Sequence, residues 1–341
     1  MRMTRPLGPE SLAHTMSVVI PVYGGSTSLP IIVAELESFT QATLSPSGVS
    51  FRVAEVILVN DCGPDGSEHV IRELADRYRW VQAVWLSRNY GQHAATLAGM
   101  AASSSEWIIT MDEDGQQNPS DIGKLLDTAL QNQSQLVYAL PSNKPPHGTF
   151  RNGFSKFAKK IFEKLLTDGS TSYFNSYRLV LGEIGRTLAA YVGSGVYLDV
   201  ALTWVVQDVS TCSVALRREI RPHSGYNLRR LSSHFWRLVL NSGTRPLRIV
   251  SITGMGSFFG GVLMAIGVAV GKLAYGYPVT GWASVFVLLL LVGGITMLVL
   301  GLLAEYLGVV VRYSIGKPLY VAVGDPAKSA RRRIQRAVTD E

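Results

Sequence analysis

Cysteine is scarce in this chain of 341 residues: Cys62 and Cys212 are the only two. Two cysteines far apart exclude a disulfide framework and a CxxC metal pair, and they read as ordinary reduced thiols. Charge is scarce as well. Charged residues make up 17% of the chain, against about 25% in an average soluble domain. Two long uncharged runs near the C-terminus account for most of that deficit. No GxxxxGK[ST] loop is present and no GxGxxG opens a helix, so ATP hydrolysis and dinucleotide redox chemistry lack their phosphate cradles. A Gly-x-Ser-x-Gly elbow is missing too. Residues 1–15 lack the apolar core of a secretory signal and are expected to form a disordered tail, which leaves the part that follows in the cytoplasm.

Positive charge is in excess, +7 overall. Such a balance points to phosphorylated substrates, anionic lipid or nucleic acid. The first uncharged run is 249–271, between Arg248 and Lys272, and the second is 282–304, ending before Glu305. Each can cross about 30 Å of hydrocarbon. Tyr275, Tyr277 and Trp282 beside the short linker suit an interfacial belt. Arg217, Arg218, Arg221, Arg229, Arg230, Arg237, Arg245 and Arg248 precede the pair, and Arg312, Lys317, Lys328, Arg331, Arg332, Arg333 and Arg336 follow it. Basic flanks on both sides predict a transmembrane hairpin over 249–304 with both ends in the cytoplasm. Two buried helices of a soluble protein are the competing reading. Within 222–248, Leu228, Leu231, Phe235, Leu238 and Val239 fall near one helical face among arginines. That pattern predicts an amphipathic helix lying on anionic membrane lipid, with an ordinary domain helix as the alternative. Residues 305–341 read as a basic cytoplasmic tail.

Residues 16–221 are expected to form an α/β domain. Apolar runs at Ser17–Tyr23, Ala54–Asp61, Val81–Ser87 and Glu106–Asp114 read as strands, and the helical patterns Ile31–Phe39, Glu68–Tyr78 and His93–Ser103 alternate with them. Alternation of this kind predicts a mostly parallel, doubly wound sheet, whose ligands sit beyond the carboxyl ends of the strands. Asn60-Asp61, Arg88-Asn89 and the acids Asp112 and Asp114 all fall at such ends.

The run MDEDGQQNP (Met111–Pro119) is the strongest chemical signal. Its oxygen donors suit Mg²⁺ or Mn²⁺, which would neutralise a diphosphate. A DxD alone is weak, since surface loops contain it often; its position after an apolar strand is what raises its weight. Arg151 and Ser155 lie four apart on one face of an expected helix, and Arg178 follows in NSYRL. A fork of arginines and a hydroxyl suits a phosphate monoester, with solvated surface arginines as the plain alternative. His93, alone in YGQHAATLAGM, reads as structural.

IPVY, VNDCGPDGS, SRNYGQHAATLAGM and TMDEDGQQNP, in that order and spacing, resemble glycosyltransferase family 2, in its polyprenyl-phosphate branch. SGYNLRRL, the two uncharged runs, GLLAEYLG and GKPLYV agree with that branch, so the resemblance extends from Ser17 to about Val323. It implies a GT-A fold, Rossmann-like with a mostly parallel sheet, followed by the interfacial segment and the hairpin. It implies a nucleotide-sugar donor, UDP-linked in the first instance, and a polyprenyl phosphate acceptor of the undecaprenyl type. Pro21, Tyr23 and Asp61 would contact the nucleoside, with Arg88 and Asp112 on the same donor side. Asp112, Asp114 and Gln116 would hold the divalent ion, and Arg151, Ser155 and Arg178, with Arg218 or Arg221, the acceptor phosphate. Asp199, in GVYLDV, would orient the sugar or lie on a helix surface.

The chain departs from the family pattern at several places. Gly24 replaces an Asn, Asn60 an Asp, Gly63 a Ser, Ser176 an Asp or Gly and Gly225 a Lys, and only Lys144 stands near the position of an expected Arg. These leave the sugar open. A phosphate monoester has a second pKa near 6, so it is largely dianionic at neutral pH and attacks without a general base, which predicts a single inverting displacement. The expected location is the bacterial cytoplasmic membrane. A homo-oligomer, for instance a tetramer, and a flippase for the sugar-lipid complete the expected partners, with no nucleic acid. Two other readings stay open. A processive synthase would need a QxxRW after the DxD, and the single Arg-Trp, Arg79-Trp80, precedes it. A degenerate protein that binds nucleotide-sugars without transfer is the other.

Overall fold

The computed structural model describes residues 13–143, 173–193, 196–217, 263, 266–267, 270, 281–314 and 318–328. The chain divides into two compact units. One comprises Met1–Gly153, Ser170–Tyr226 and Pro318–Glu341, the other Phe154–Gly169 and Asn227–Lys317.

The first unit is built on one sheet. Its strands are β1 (His14–Val22), β2 (Thr43–Leu44), β3 (Ser50–Asn60), β4 (Val81–Leu86), β5 (Trp107–Thr110), β6 (Leu136–Pro141), β7 (Arg178–Leu181), β8 (Val209–Val214) and β9 (Ala322–Val323). Helices α1 (Leu29–Glu37), α2 (Ser67–Arg77), α3 (Gln92–Ala102), α4 (Ile122–Gln131), α5 (Gly182–Tyr191) and α6 (Leu198–Val205) connect them. Strand order is β8-β6-β7-β5-β1-β3-β4-β9, with β2 paired to β3. The four central strands, β5, β1, β3 and β4, run parallel. β7 enters antiparallel between β5 and β6, and β9 is antiparallel to β4. The expected α/β class with a parallel centre is present.

Covering on both faces explains why β1 and β3 are nearly continuous apolar runs. One face packs Leu29, Ile32 and Leu36 of α1, Ile71 of α2 and Leu125 of α4 against Val18, Ile20, Val56 and Leu58. The other packs Ala95, Leu97 and Met100 of α3 with Leu188 and Leu202 against Val19, Ile57 and Val59. Each fully buried Leu or Ile contributes about 1.5–3 kcal/mol, and this two-layer core fixes where the carboxyl ends of the parallel strands stand.

Two expectations change. The fourth strand stops at Thr110 rather than running to Asp114. Met111 still donates its N–H to Val19 O, but the N–H of Asp112 goes to the Gln117 side chain and that of Gln116 to the Asp114 carboxylate, so the acids sit in a turn. And Ala322–Val323 is an edge strand, a feature that the reading of 305–341 as a tail does not include.

In the second unit, the helix α7 (Trp282–Ser314) has 33 residues, about 50 Å at 1.5 Å per residue. The second expected span, 282–304, falls inside it. The first, 249–271, lies almost wholly outside the described residues, as does the interfacial segment 222–248. Counting the described residues alone, no helix is long and apolar enough to cross a membrane.

Candidate active site

Asp112 is the centre of the strand-end cluster. One oxygen accepts from Gln92 Nε2 at 2.6 Å, at the first turn of α3. The other accepts from Ser176 Oγ at 2.5 Å and from Gln117 Nε2 at 3.0 Å. Gln117 also takes the Asp112 backbone N–H at 2.8 Å and donates to Ser176 Oγ at 3.0 Å. Burial raises the Asp112 carboxyl to about 6; Ser176 and Arg178 pull it down, and the charges of Asp114 and Glu113 push it up. Three successive carboxylates, Asp112, Glu113 and Asp114, therefore crowd one turn.

The donors fit a hard divalent ion. Asp112 and Asp114 offer carboxylate oxygens and Gln116 an amide oxygen, all on one turn, and a cation there would offset the burial and the neighbouring charges that raise Asp112. Among the described residues no three His, Cys, Asp or Glu side chains converge as a preformed cage. A Mg²⁺-type site needs none, because one or two carboxylates with waters and substrate phosphates complete it.

Around this turn the neighbouring loops are tied down. Glu113 turns away from Asp112 toward the loop after β1. Its carboxylate accepts the N–H of Tyr23 at 2.8 Å and of Gly24 at 3.0 Å, while Ser28 Oγ donates to its carbonyl. Arg217, just after β8, donates its N–H to Gln116 O at 2.8 Å, and its guanidinium bonds Glu35 at 2.8 Å and the Asn118 side chain. The loop between β4 and α3 is held by Asp61, whose two oxygens accept the N–H groups of Tyr90 at 2.7 Å and Gly91 at 2.8 Å.

Several expected site residues therefore have different surroundings. Asp61, expected at the nucleoside, is buried and braces the Tyr90–Gly91 backbone; burial raises its pKa and those two N–H bonds lower it. Pro21 is buried within β1. Tyr23 is 45% exposed and open to a ligand. Arg88 is exposed, with its guanidinium 4.5 Å from the centre of the Tyr90 ring. Arg178 is not a solvent-facing fork. Its first position in β7 points it inward, where it is 3% exposed, pairs with Asp199 and donates to Thr110 Oγ1 at 3.1 Å. Asp199 is equally buried, on the inner face of α6, and also accepts from Tyr138 Oη at 2.9 Å. It does not lie on a helix surface. Arg151, Ser155, Arg218 and Arg221, expected at the acceptor phosphate, lie outside the described residues.

Sequence reasoning gives no site role to Glu113, Gln92, Gln117, Ser176 or Arg217. Glu113 hides as the middle letter of a DxD. Gln117 is indistinguishable from its neighbour Gln116 until the turn is seen. Ser176 and Arg217 reach Asp112 and Gln116 across 64 and 101 positions of sequence, which no local pattern reveals.

The profile of the family described as Glycosyl transferase family 2 matches residues 17–188. An undecaprenyl-phosphate 4-deoxy-4-formamido-L-arabinose transferase of Pseudomonas paraeruginosa is 32% identical over 301 residues, covering 86% of this chain and 85% of its own. A bactoprenol glucosyl transferase of Shigella phage SfV is 25% identical over 321 residues, covering 92% and 99%. Among solved structures, glucosyl-3-phosphoglycerate synthase from Mycobacterium tuberculosis superimposes with a TM-score of 0.49 at 17% identity, over 68% of this chain and 80% of that one.

Proposed function

This chain belongs to glycosyltransferase family 2, and from that premise we propose that it transfers a sugar from a nucleotide-sugar to a polyprenyl phosphate of the undecaprenyl type. The observation that carries the reading is the acidic turn Asp112–Asp114 at the carboxyl ends of parallel β1, β3 and β5, with Asp112 bonded from three sides by Gln92, Gln117 and Ser176. Both relatives named above carry undecaprenyl or bactoprenol acceptors in their names, and they match almost the whole chain.

In this reading Tyr23 and Arg88 meet the nucleotide, while Asp112, Asp114 and Gln116 hold Mg²⁺ or Mn²⁺. A bound divalent ion would neutralise the leaving diphosphate. The chain's own contribution is alignment. The gripped loops fix donor-binding groups before substrate arrives, so little reorganisation remains for the reaction step. The acceptor phosphate is already dianionic at neutral pH and attacks the anomeric carbon directly, so one displacement inverts the configuration. Arg151, Ser155, Arg218 and Arg221 belong to the proposal as the acceptor cradle. Arg178 and Asp199 enter it only as a buried brace behind Asp112.

The proposal places the protein at the bacterial cytoplasmic membrane, with a hairpin over 249–271 and 282–304 and the sheet unit in the cytoplasm. A homo-oligomer and a sugar-lipid flippase complete it. The test is transfer of label from a panel of UDP-sugars to undecaprenyl phosphate with Mg²⁺ or Mn²⁺, for the wild type and Asp114→Ala. One donor is expected to give a lipid-extractable product that EDTA and the substitution abolish. Folded protein that binds UDP yet forms no lipid product with UDP-, dTDP- or GDP-sugars would leave a binding protein without transfer.

A further inference from the structure

We propose that Glu113 is a positioning residue for the donor, holding the loop Tyr23–Ser28 in register with the Asp112–Asp114 turn. The inference rests on the transferase reading above and extends it to a residue that the DxD pattern treats as a spacer.

Glu113 grips that loop twice. Its carboxylate accepts two successive backbone N–H groups, those of Tyr23 and Gly24, and its carbonyl accepts from Ser28, which is fully buried. A side-chain carboxylate on paired backbone donors forms charge-assisted hydrogen bonds, about twice as strong as neutral ones. The fit leaves no slack. A Cβ at Gly25 would lie 2.9 Å from Leu29 Cγ and 3.0 Å from Glu113 Oε2. From the other side, a Cβ at Gly63 would lie 1.5 Å from the Tyr23 carbonyl oxygen. The loop is thus clamped between the turn after β3 and the acidic turn after β5, while Tyr23 stays 45% exposed. An aromatic face held this way can stack a nucleobase while Asp112 and Asp114 meet the diphosphate end.

A carboxylate at this position also carries a cost. It sits between two others on one turn, where like charges repel. A turn that needed only closure would take a neutral side chain there. Two charge-assisted bonds to the nucleotide loop offset the repulsion, and they transmit the placement of one end of the donor site to the other.

The test uses the full-length protein in detergent, as wild type, Glu113→Ala and Glu113→Gln. UDP binding is followed by titration calorimetry, and steady-state transfer is measured with the UDP-sugar that the wild type uses. Loss of the clamp should weaken UDP binding and raise the donor KM roughly tenfold in Glu113→Ala, the size of one lost charge-assisted hydrogen bond. Glu113→Gln keeps one acceptor oxygen and should fall between. The KM for undecaprenyl phosphate, the Mn²⁺ concentration for half-maximal rate and the melting temperature should stay near wild type. Unchanged UDP affinity and donor KM in both variants would overturn the inference. So would an equal loss in donor KM, acceptor KM and melting temperature, which marks a clip that merely stabilises the fold. If Glu113→Ala does not fold, the isosteric Gln variant decides by the same readouts. A wild type that binds no UDP and transfers no sugar would overturn the transferase reading first, and the inference with it.

Discussion

Arg178 and Asp199 show what a charge inside a protein demands of its neighbours. Both side chains are nearly inaccessible, at 3% and 6% exposure, and they pair with one another, with Thr110 bonded to the arginine and Tyr138 to the carboxylate. Burial raises the Asp199 carboxyl, and the adjacent guanidinium works against that rise. Removing one partner leaves an uncompensated buried charge. Asp199→Ala is therefore expected to lose about 3–5 kcal/mol in thermal or denaturant unfolding, whereas Arg178→Met with Asp199→Leu should recover most of the loss, because no charge remains inside. A loss under about 1 kcal/mol for the single change, the size of an exposed pair, would show that the pair is solvated rather than buried. Neither partner's fate is legible from its letter. Arg178 looks like a phosphate ligand and Asp199 like a surface acid until the stretch that joins them, 21 positions apart, folds into a strand and two helices. Asp112 and Asp114 are legible, because an apolar run that delivers acids into a polar turn marks the carboxyl end of a strand in any parallel sheet. What the letters cannot separate is Gln116 from Gln117, or Glu113 from a spacer; those roles are set by where the turn aims each side chain.

At the scale of elements, β9 is the piece that changes the picture. The chain leaves the sheet unit after β8 and returns at Pro318 to add a strand beside β4. Ser87 N–H donates to Val321 O at 3.0 Å, next to the loop that Asp61 holds, and Leu319 and Tyr320 pack against the core. A two-residue strand has no periodicity to read, and its partner lies more than 200 positions away, so sequence reasoning leaves it in the tail. The long alternating runs, by contrast, are read correctly as strands and helices because burial on both faces writes itself into composition. The return segment is fastened by Arg72 Nε to Asp325 at 2.9 Å, and the Arg72 guanidinium lies 4.9 Å from the centre of the Trp85 ring. Asp325 is held below the usual carboxylate range by the Ala327 N–H and by Arg72 and Lys328, which outweigh its partial burial. Glu68 and His69 face Arg72 from α2. A carboxylate depressed in the folded state contributes stability that is complete above its unfolded pKa and is lost as pH falls through the folded value. Hydrogen exchange at Ser87, corrected for the intrinsic rate, should accordingly speed up once pH drops below about 4, the ordinary Asp range. Asp325→Asn should show the faster exchange already at neutral pH and lose the acid step. Acid-induced opening that persists unchanged in that variant would show that Asp325 does not carry the step.

The whole molecule joins a sheet unit, whose acidic turn is legible at a strand end, to a segment whose character is written only in hydropathy. The two uncharged runs with basic flanks predict a hairpin with both ends on the cytoplasmic side, and α7 carries the second run through 33 helical residues. The two cysteines turn that topology into an experiment. Cys62 is exposed at the end of β3 and Cys212 is buried. Burial together with the charges of Asp61 and Glu68 raises the Cys62 thiol, so its reactive thiolate is scarce at neutral pH and labelling belongs in mildly alkaline buffer. In intact spheroplasts a membrane-impermeant maleimide should leave Cys62 unmodified and should label Tyr277→Cys, placed in the linker between the two runs, in a Cys62→Ser background. After lysis Cys62 should label as well, and carbonate washing should leave the protein in the membrane pellet. Labelling of Cys62 in sealed cells would put the sheet unit outside and reverse the orientation. A linker cysteine protected until lysis, in a protein released by carbonate, would replace the hairpin by a surface attachment, where the +7 net charge would hold the protein to anionic lipid and 1 M salt, which shortens the screening length to about 3 Å, would wash it off.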